Sequence, residues 1–230
     1  MSDFWKGKRV LVTGCSGLIG APLCKTLSEA GAVVEGYDLD PVGILPKWGV
    51  DIPVFVRDIR RTQVIPGYTE IVFHLAAVSG VEESRAHALQ TWDVNVLGTW
   101  NVLEACRQAK GIQAVVVASS NHVYGAQDRY PVPESAPLNQ LDTYSASKIA
   151  ADYIARAYDH NYRLPVSVVR NTNCYGPYDP HHDHIIPATI LSCLRGERPV
   201  IKSDGKRKKG YLYVLDVVDA YLAVAEWTAR

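Results

Sequence analysis

Tyr144 and Lys148 stand four residues apart in Tyr144-Ser145-Ala146-Ser147-Lys148, a spacing that puts a phenol and an ammonium on one face of a helix. A phenol with a reference pKa of about 10 acts as a base near neutrality only if it is lowered by about 3 units, worth about 4 kcal/mol. A neighbouring ammonium acts in that direction. Ahead of the pair, Val115-Val116-Val117-Ala118 runs into Ser119-Ser120-Asn121-His122-Val123-Tyr124-Gly125. Hydroxyls at the carboxyl end of such a strand are placed to orient a substrate hydroxyl beside the phenol, with Ser120 as donor. These residue types suit removal of a proton from an alcohol. The Tyr-x-x-x-Lys spacing is common by itself, so its meaning rests on the elements that must position it.

A second constellation opens the chain. Thr13-Gly14-Cys15-Ser16-Gly17-Leu18-Ile19-Gly20 follows the apolar run Val10-Leu11-Val12 and leads into a helical pattern. Glycines in this setting permit a tight turn and let backbone approach a pyrophosphate, whose charge then rests on N–H groups at the helix N-terminus. The spacing is G-x-x-G-x-x-G. Asp38 ends the next strand pattern and offers a carboxylate to an adenosine ribose. A 2′-phosphate there would be repelled, and Leu39-Asp40-Pro41 holds no Arg to neutralise it, so NAD is expected rather than NADP. Asp58 is placed to accept from an adenine amino group, Ile59 to pack on its ring, and the small Ala76 and Ala77 after Leu75 let a dinucleotide pass close to backbone.

The scaffold is readable as well. Short β-branched runs recur at Val10-Leu11-Val12, Val33-Val34, Val54-Phe55-Val56, Ile71-Val72-Phe73, Val115-Val116-Val117 and Val166-Ser167-Val168-Val169, as strands buried on both faces would. Helical spacing separates several of them, over 18–30, about 86–109 and 144–161. Strands alternating with helices predict right-handed crossovers and a doubly wound parallel α/β sheet. In the helix near 86–109, Leu89, Trp92, Val96, Leu103 and Cys106 predict a face toward the sheet, while Trp100 and Val102 widen it enough for a second subunit. After Arg170 the texture turns to Asn, Pro, Tyr, Asp and His, and alternation stops until Tyr211. The predicted division is therefore residues 1–170 as the nucleotide-binding domain and 171–230 as a partial substrate region.

Composition narrows the partners. Lys+Arg number 24 against 24 Asp+Glu, so there is no cationic surplus of the kind that binds nucleic acid or anionic membrane. The one basic run, Lys206-Arg207-Lys208-Lys209, is local. Apolar runs fall far short of the ~20 residues that cross a bilayer, and no charged-then-apolar leader is present, so a cytoplasmic protein is expected. Five cysteines without a C-x-x-C pair predict reduced, mostly buried thiols.

Taken together, the glycine loop, Asp38, Asp58-Ile59, Leu75-Ala76-Ala77, Asn95-Val96-Leu97-Gly98-Thr99, Ser119-Ser120 with Tyr124-Gly125, Tyr144 with Lys148, and Arg170 through Pro177 resemble the extended short-chain dehydrogenase/reductases, specifically the NAD-dependent nucleotide-sugar epimerase/dehydratase family. The resemblance runs nearly end to end and in order. It implies that Tyr144 is the catalytic base, that Lys148 holds the ribose and tunes the phenol, and that Ser120 is the hydroxyl partner. Asn95 joins the cofactor set, and Ser119, Asn121, His122, Asn173 and Lys209 the set facing a nucleotide-diphosphate sugar, with Asn173 on the diphosphate. It also implies a homodimer through the helices near 86–109 and 144–161, and a substrate domain continuing past the position of Arg230.

Which reaction follows depends on details near Ser120. A 4-epimerase-like course, by transient oxidation to a keto-sugar, is the leading expectation. Dehydratases of the dTDP-glucose type carry Asp-Glu after the hydroxyl residue, where this chain has Asn121-His122, which weakens a 4,6-dehydratase reading. Ser-Ser-Asn-His resembles uronate dehydrogenases, whereas Gly196 through Asp216 looks like the nucleotide-sugar enzymes, with Lys209-Gly210 where an Arg-Asp is usual. A protein that binds NAD without catalysis on its own is the remaining alternative. His181-His182-Asp183-His184 has ligand-type residues, but adjacent ligands rarely close a coordination sphere and no distant partner is evident, so a polar loop bordering the substrate site is expected and no metal.

Overall fold

The structure is a computed structural model that describes residues 3–62, 64–201, 203–206 and 209–230, so positions 207 and 208 of the basic run lie outside the described residues. Among the described residues, six parallel strands form one sheet: β1 (Arg9–Thr13), β2 (Val33–Asp38), β3 (Val54–Val56), β4 (Ile71–His74), β5 (Ala114–Ala118) and β6 (Val166–Val169), in the spatial order β3-β2-β1-β4-β5-β6. The central strands are buried on both faces, which is why they read as unbroken apolar runs. Val10, Val12, Ile71, Phe73, Ala114 and Val116 face one layer, and Leu11, Val72, Val115 and Val117 the other. β3 departs from that expectation. It pairs only with β2 at the sheet edge, and its Phe55 and Val56 are exposed.

The chain moves outward from β1 to β3 and then returns to place β4 on the other side of β1. That reversal opens a crevice at the carboxyl ends of β1 and β4, the usual ligand position in such sheets. Thr13 and His74, the last residues of these two strands, are register partners there.

α1 (Gly20–Glu29) lies over the first layer with α7 (Val214–Thr228), whose Val217, Val218, Tyr221, Leu222 and Ala225 sit in the same core as Leu23 and Leu27. Residues 214–228 are thus packed into the sheet domain, across the division drawn at residue 170 from sequence. The second layer holds α4 (Thr99–Gln108) and α5 (Thr143–Tyr162).

The long helix expected near 86–109 is segmented into α2 (Val81–Ala86), α3 (Ala88–Trp92), a π-helical turn at Asp93–Gly98, and α4. Leu89 and Trp92 point away from the sheet, Leu89 being 83% exposed. Thr91, Asn95 and Thr99 occupy the buried side instead. Polar residues turn inward here because they have buried partners, described below.

Past β6, β7 (Asn173–Tyr175) and β8 (Tyr211–Tyr213) form a two-stranded parallel sheet, with α6 (Ile185–Leu194) between them. α6 falls in the stretch where the sequence shows no alternation of strand and helix, and none of its residues is buried. Cys15, Cys24 and Cys106 are buried, Cys174 is half-buried and Cys193 is exposed, all as free thiols. Among the described residues no helix is long and apolar enough to cross a membrane.

Candidate active site

The glycine loop is shaped by two close backbone passages. Gly14 has φ +72°, and a Cβ there would lie 2.7 Å from the Ala76 nitrogen; a Cβ on Gly20 would lie 2.1 Å from the Gly14 oxygen. Gly17 differs, since a Cβ there would meet only the Gly14 oxygen at 3.5 Å. Its outer side is open. α1 begins behind it with Ile19 at the N-cap and no side-chain cap; Ala21 N–H is taken by the Gly17 carbonyl at 3.0 Å and Pro22 has none, so the Gly20 N–H is the first-turn donor left to face an anion. Leu18 and Ile19 are half-buried in the same turn. Asp38 clamps the loop, Oδ2 accepting from Ser16 N–H at 3.0 Å and Oδ1 from Asp40 N–H at 3.1 Å. Each oxygen keeps acceptor capacity for a ribose hydroxyl. An open glycine, an uncapped helix start and a carboxylate one strand away fit an NAD pyrophosphate and ribose.

Beneath that crevice runs a chain of buried hydrogen bonds whose direction can be worked out. Thr99 Oγ1 donates to the Asn95 carbonyl at 2.7 Å, so it accepts from His74 Nε2 at 3.0 Å. His74 is then protonated on Nε2, and its Nδ1 accepts from Thr13 Oγ1 at 2.7 Å. Burial, and to a lesser degree Lys148, push its pKa down to about 3, consistent with this neutral tautomer. Asn95 continues the network: Oδ1 accepts from Val78 N–H at 2.8 Å, and Nδ2 donates to the Val78 carbonyl at 3.0 Å and to Ser147 Oγ at 2.9 Å. Asn95 is 1% exposed. Its side chain ties the segment after β4 to α5, and it reaches the crevice through those groups instead of from its surface.

Two other cofactor candidates are likewise engaged with protein. Ile59 is buried, with Gly98 so close that a Cβ there would fall 2.7 Å from Ile59 Cδ1. Asp58 is bonded to Arg60 through both carboxylate oxygens, and that guanidinium holds its carboxyl below the usual range. Leu75, Ala76 and Ala77 are half-buried at the end of β4, with Ala76 N–H donating to Thr13 Oγ1 at 3.3 Å.

On the other side of the crevice, Asp142 caps α5. Its Oδ1 accepts from Ser145 N–H at 2.9 Å and its Oδ2 from Ser145 Oγ at 2.8 Å. Tyr144 therefore sits in the first turn, where the helix dipole favours a phenolate. Ser120 Oγ accepts from His122 N–H at 3.2 Å, so its own proton is directed elsewhere, and it hydrogen-bonds the Tyr144 phenol. Burial nevertheless raises the Tyr144 pKa, with Ser120 opposing and the Asp142 charge adding to the rise. Lys148, itself buried, donates to the Ala118 carbonyl at 3.1 Å, and burial brings its pKa down to about 8. The expected lowering of the phenol by Lys148 is therefore not what the structure has. At both groups desolvation is the largest effect.

His122 lies edge-on to Tyr144, ring centroids 6.0 Å apart. Its pKa is lowered by burial and by Lys209, and raised by Asp142 and a hydrogen bond with Asn173. The structure thus brings Ser120, Tyr144, His122, Asn173 and Lys209 together. Ser119 Oγ and Asn121 Oδ1 are buried nearby without a protein partner, while Asn121 Nδ2 donates to Thr172 Oγ1 at 3.1 Å. Arg170 was not singled out from sequence as a site residue. It holds Asp152 of α5 through Nε at 2.7 Å and a second guanidinium nitrogen at 3.0 Å, and donates to Tyr124 Oη at 2.7 Å. That bidentate pair locks α5 against the ends of β5 and β6.

Comparison with known proteins decides the family. Residues 10–230 match the family described as NAD dependent epimerase/dehydratase. The chain belongs to that family. It is 31% identical to CDP-glucose 4,6-dehydratase of Salmonella typhimurium over 97% of this chain and 68% of that protein. To UDP-glucose 4-epimerase of Mycolicibacterium smegmatis it is 33% identical, over 93% of this chain and 72% of the relative. Among solved structures, MoeE5 in complex with UDP-glucose and NAD superposes with a TM-score of 0.84 at 33% identity, covering 96% of this chain and 73% of that one. The crevice between β1 and β4 lies at the switch point of the sheet, where ligands bind in folds of this kind.

Proposed function

We propose that this member of the epimerase/dehydratase family is a nucleotide-sugar 4-epimerase acting by transient oxidation of the sugar to a ketone. The observation that carries the reading is the convergence of Tyr144, Ser120, His122, Asn173 and Lys209 beside the open glycine loop. When bound, NAD supplies a hydride acceptor and, in its oxidised form, a positive ring. Tyr144 Oη takes the proton of the sugar hydroxyl, since it is the phenol that Ser120 hydrogen-bonds at the helix start, and the positive ring of bound NAD would stabilise its anion. Ser120, which accepts from His122 N–H and hydrogen-bonds the Tyr144 phenol, orients the reacting hydroxyl beside that phenol. Lys148 carries positive charge beneath, and Asn173 and Lys209 face the diphosphate. Gly14, Ser16, Gly17, Leu18, Ile19, Gly20 and Asp38 hold the cofactor, with Leu75, Ala76 and Ala77 along its path. Asn95, Ile59 and Asp58 support it from behind.

On this reading residues 1–170 together with 214–228 form the cofactor unit, and residues 171–213 the substrate face of a cytoplasmic enzyme. Exposed Leu89, Trp92 and Trp100, spaced three and eight residues apart, and Tyr153 and Tyr162 on α5 support self-association into a homodimer. Light scattering on the purified chain tests that. The function is tested by incubating the protein and NAD with UDP-, dTDP-, CDP- and GDP-sugars and with free uronate. Appearance of the C4 epimer without net NADH is expected. A dehydrated product would transfer the role of acid and base to His122 and overturn the epimerase reading, as would net NADH from free uronate.

A further inference from the structure

We propose that Asp179, His181, Asp183 and His184 form a binding site for a divalent transition-metal cation of the zinc class. The loop between β7 and α6 that carries them is anchored to the sheet domain through Tyr178, whose ring meets Trp48 edge-on at 5.7 Å. One ligand atom each from His181, Asp183 and His184 lies within 4.8 Å of the others. The two imidazoles lie side by side, ring centroids 4.7 Å apart with 23° between planes.

What makes this more than a polar loop is Asp179. It is 6% exposed, and its two carboxylate oxygens are treated differently. Oδ1 accepts from His181 N–H at 2.9 Å, whereas Oδ2 is buried without a hydrogen-bond partner, 3.8 Å from His184 Nδ1. That separation is too long for a hydrogen bond. A buried carboxylate oxygen left this way is costly unless a cation compensates it. It is, however, close to the ~3.4 Å between two ligands of one tetrahedral ion at ~2.1 Å bond lengths. Two imidazoles with one or two carboxylates form a nitrogen and oxygen set of borderline softness, suited to Zn2+ more than to Mg2+ or Ca2+. The third, buried ligand lies two residues before the histidine run. An ion here would fasten the loop to the start of α6, on the side of the chain that carries Asn173.

The test is calorimetric titration of the full chain with ZnCl2. One equivalent should bind, and the thermal midpoint should rise with added Zn2+. His181→Ala/His184→Ala should lose that binding, and Asp179→Asn should weaken it by about 10–100-fold. His181 and His184 make no side-chain contact the core depends on, so an unchanged circular dichroism spectrum serves as the folding check. Exposed Cys193 is the competing ligand. The Co2+ derivative should therefore show ligand-field absorption without thiolate charge transfer, and Cys193→Ser should leave the stoichiometry at one. Equal Zn2+ binding by wild type and the double histidine variant, or a thiolate band that disappears with Cys193→Ser, would overturn the proposal.

Discussion

The crevice between β1 and β4 and the face built from residues 171–213 answer the same polar-burial problem in opposite ways. Under the crevice, Thr13, His74, Thr99, Asn95, Val78 and Ser147 satisfy one another in a single directed chain. Toward the other face, Ser119 Oγ, Asn121 Oδ1 and Asp179 Oδ2 are buried without protein partners, and Ile190, Leu194, Val200 and Ile201 are exposed. A saturated network fixes geometry before any ligand arrives. Unsatisfied acceptors instead store binding capacity that a polar ligand or ion can use. The crevice is accordingly held by its own hydrogen bonds, whereas the other face keeps acceptors open to a ligand.

The largest test of this contrast is chemical. Tyr144→Phe removes the phenol from the boundary between the two regions and should lower turnover by at least about 10³-fold, within the range assigned to general-base loss. NAD affinity measured by calorimetry should stay within about twofold, because the glycine loop and Asp38 are untouched. Retained epimer formation would refute the role of Tyr144.

The glycine loop comes next. Gly14→Ala places a methyl against Ala76 backbone at a positive φ, and should cost about 2–4 kcal/mol in urea unfolding and abolish NAD binding. Gly17→Ala meets only the Gly14 oxygen at an ordinary 3.5 Å, so its stability should change by less than about 0.5 kcal/mol while NAD affinity falls. Equal stability losses in the two variants would contradict the open cradle. Asn95→Ala should cost about 2–3 kcal/mol by stranding Val78 and Ser147. Asn121→Ala, whose one side-chain bond lies at the less saturated face, should cost about 1 kcal/mol or less. Denaturant midpoints compare the pair directly.

How far the sequence anticipates this contrast follows from what periodicity records. The sheet is legible because strands buried on both faces must be continuous apolar runs, and the glycine loop because sterics at positions 14 and 20 admit nothing larger. Tyr144 and Lys148 are legible through their helical spacing. The buried column Thr91, Asn95 and Thr99 is not, since a hydrophobic pattern assigns polar residues to the outside. The same rule places the apolar Leu89 and Trp92 inward, where the structure exposes them. The π-helical turn at Asp93–Gly98 shifts the helical phase between α3 and α4, which no 3.6-residue count can follow. Membership of α7 in the first core is a contact across the whole chain, and the burial of Asp179 is likewise a tertiary property that no local pattern records. The available signal for His74 was its place at the end of β4, beside Thr13 at the sheet's switch point.

The finest comparison sets two histidines against each other by pH. His74 under the crevice has its pKa lowered from an ordinary 6.5 to about 3, mainly by burial. Between those values the unfolded chain binds the proton first, so stability falls as pH drops from about 6.5 toward 3. From pH 7 to pH 5.5 this amounts to about 1 kcal/mol. His122 at the substrate side is lowered too, mainly by burial, and the sign is the same; being only half-buried and opposed by Asp142, its share should be smaller. Carboxylates such as Glu104, held at about 2 by Arg107, lose their contribution only below about pH 4.5 and leave this window clear. Urea unfolding at pH 7 and 5.5 should therefore lose most of its pH difference in His74→Gln and only a minor part in His122→Gln. The slope, not the absolute stability, is the readout, because removing His74 also breaks its bonds to Thr13 and Thr99 at every pH. A larger effect from His122→Gln would contradict the deeper desolvation of His74 beneath the crevice.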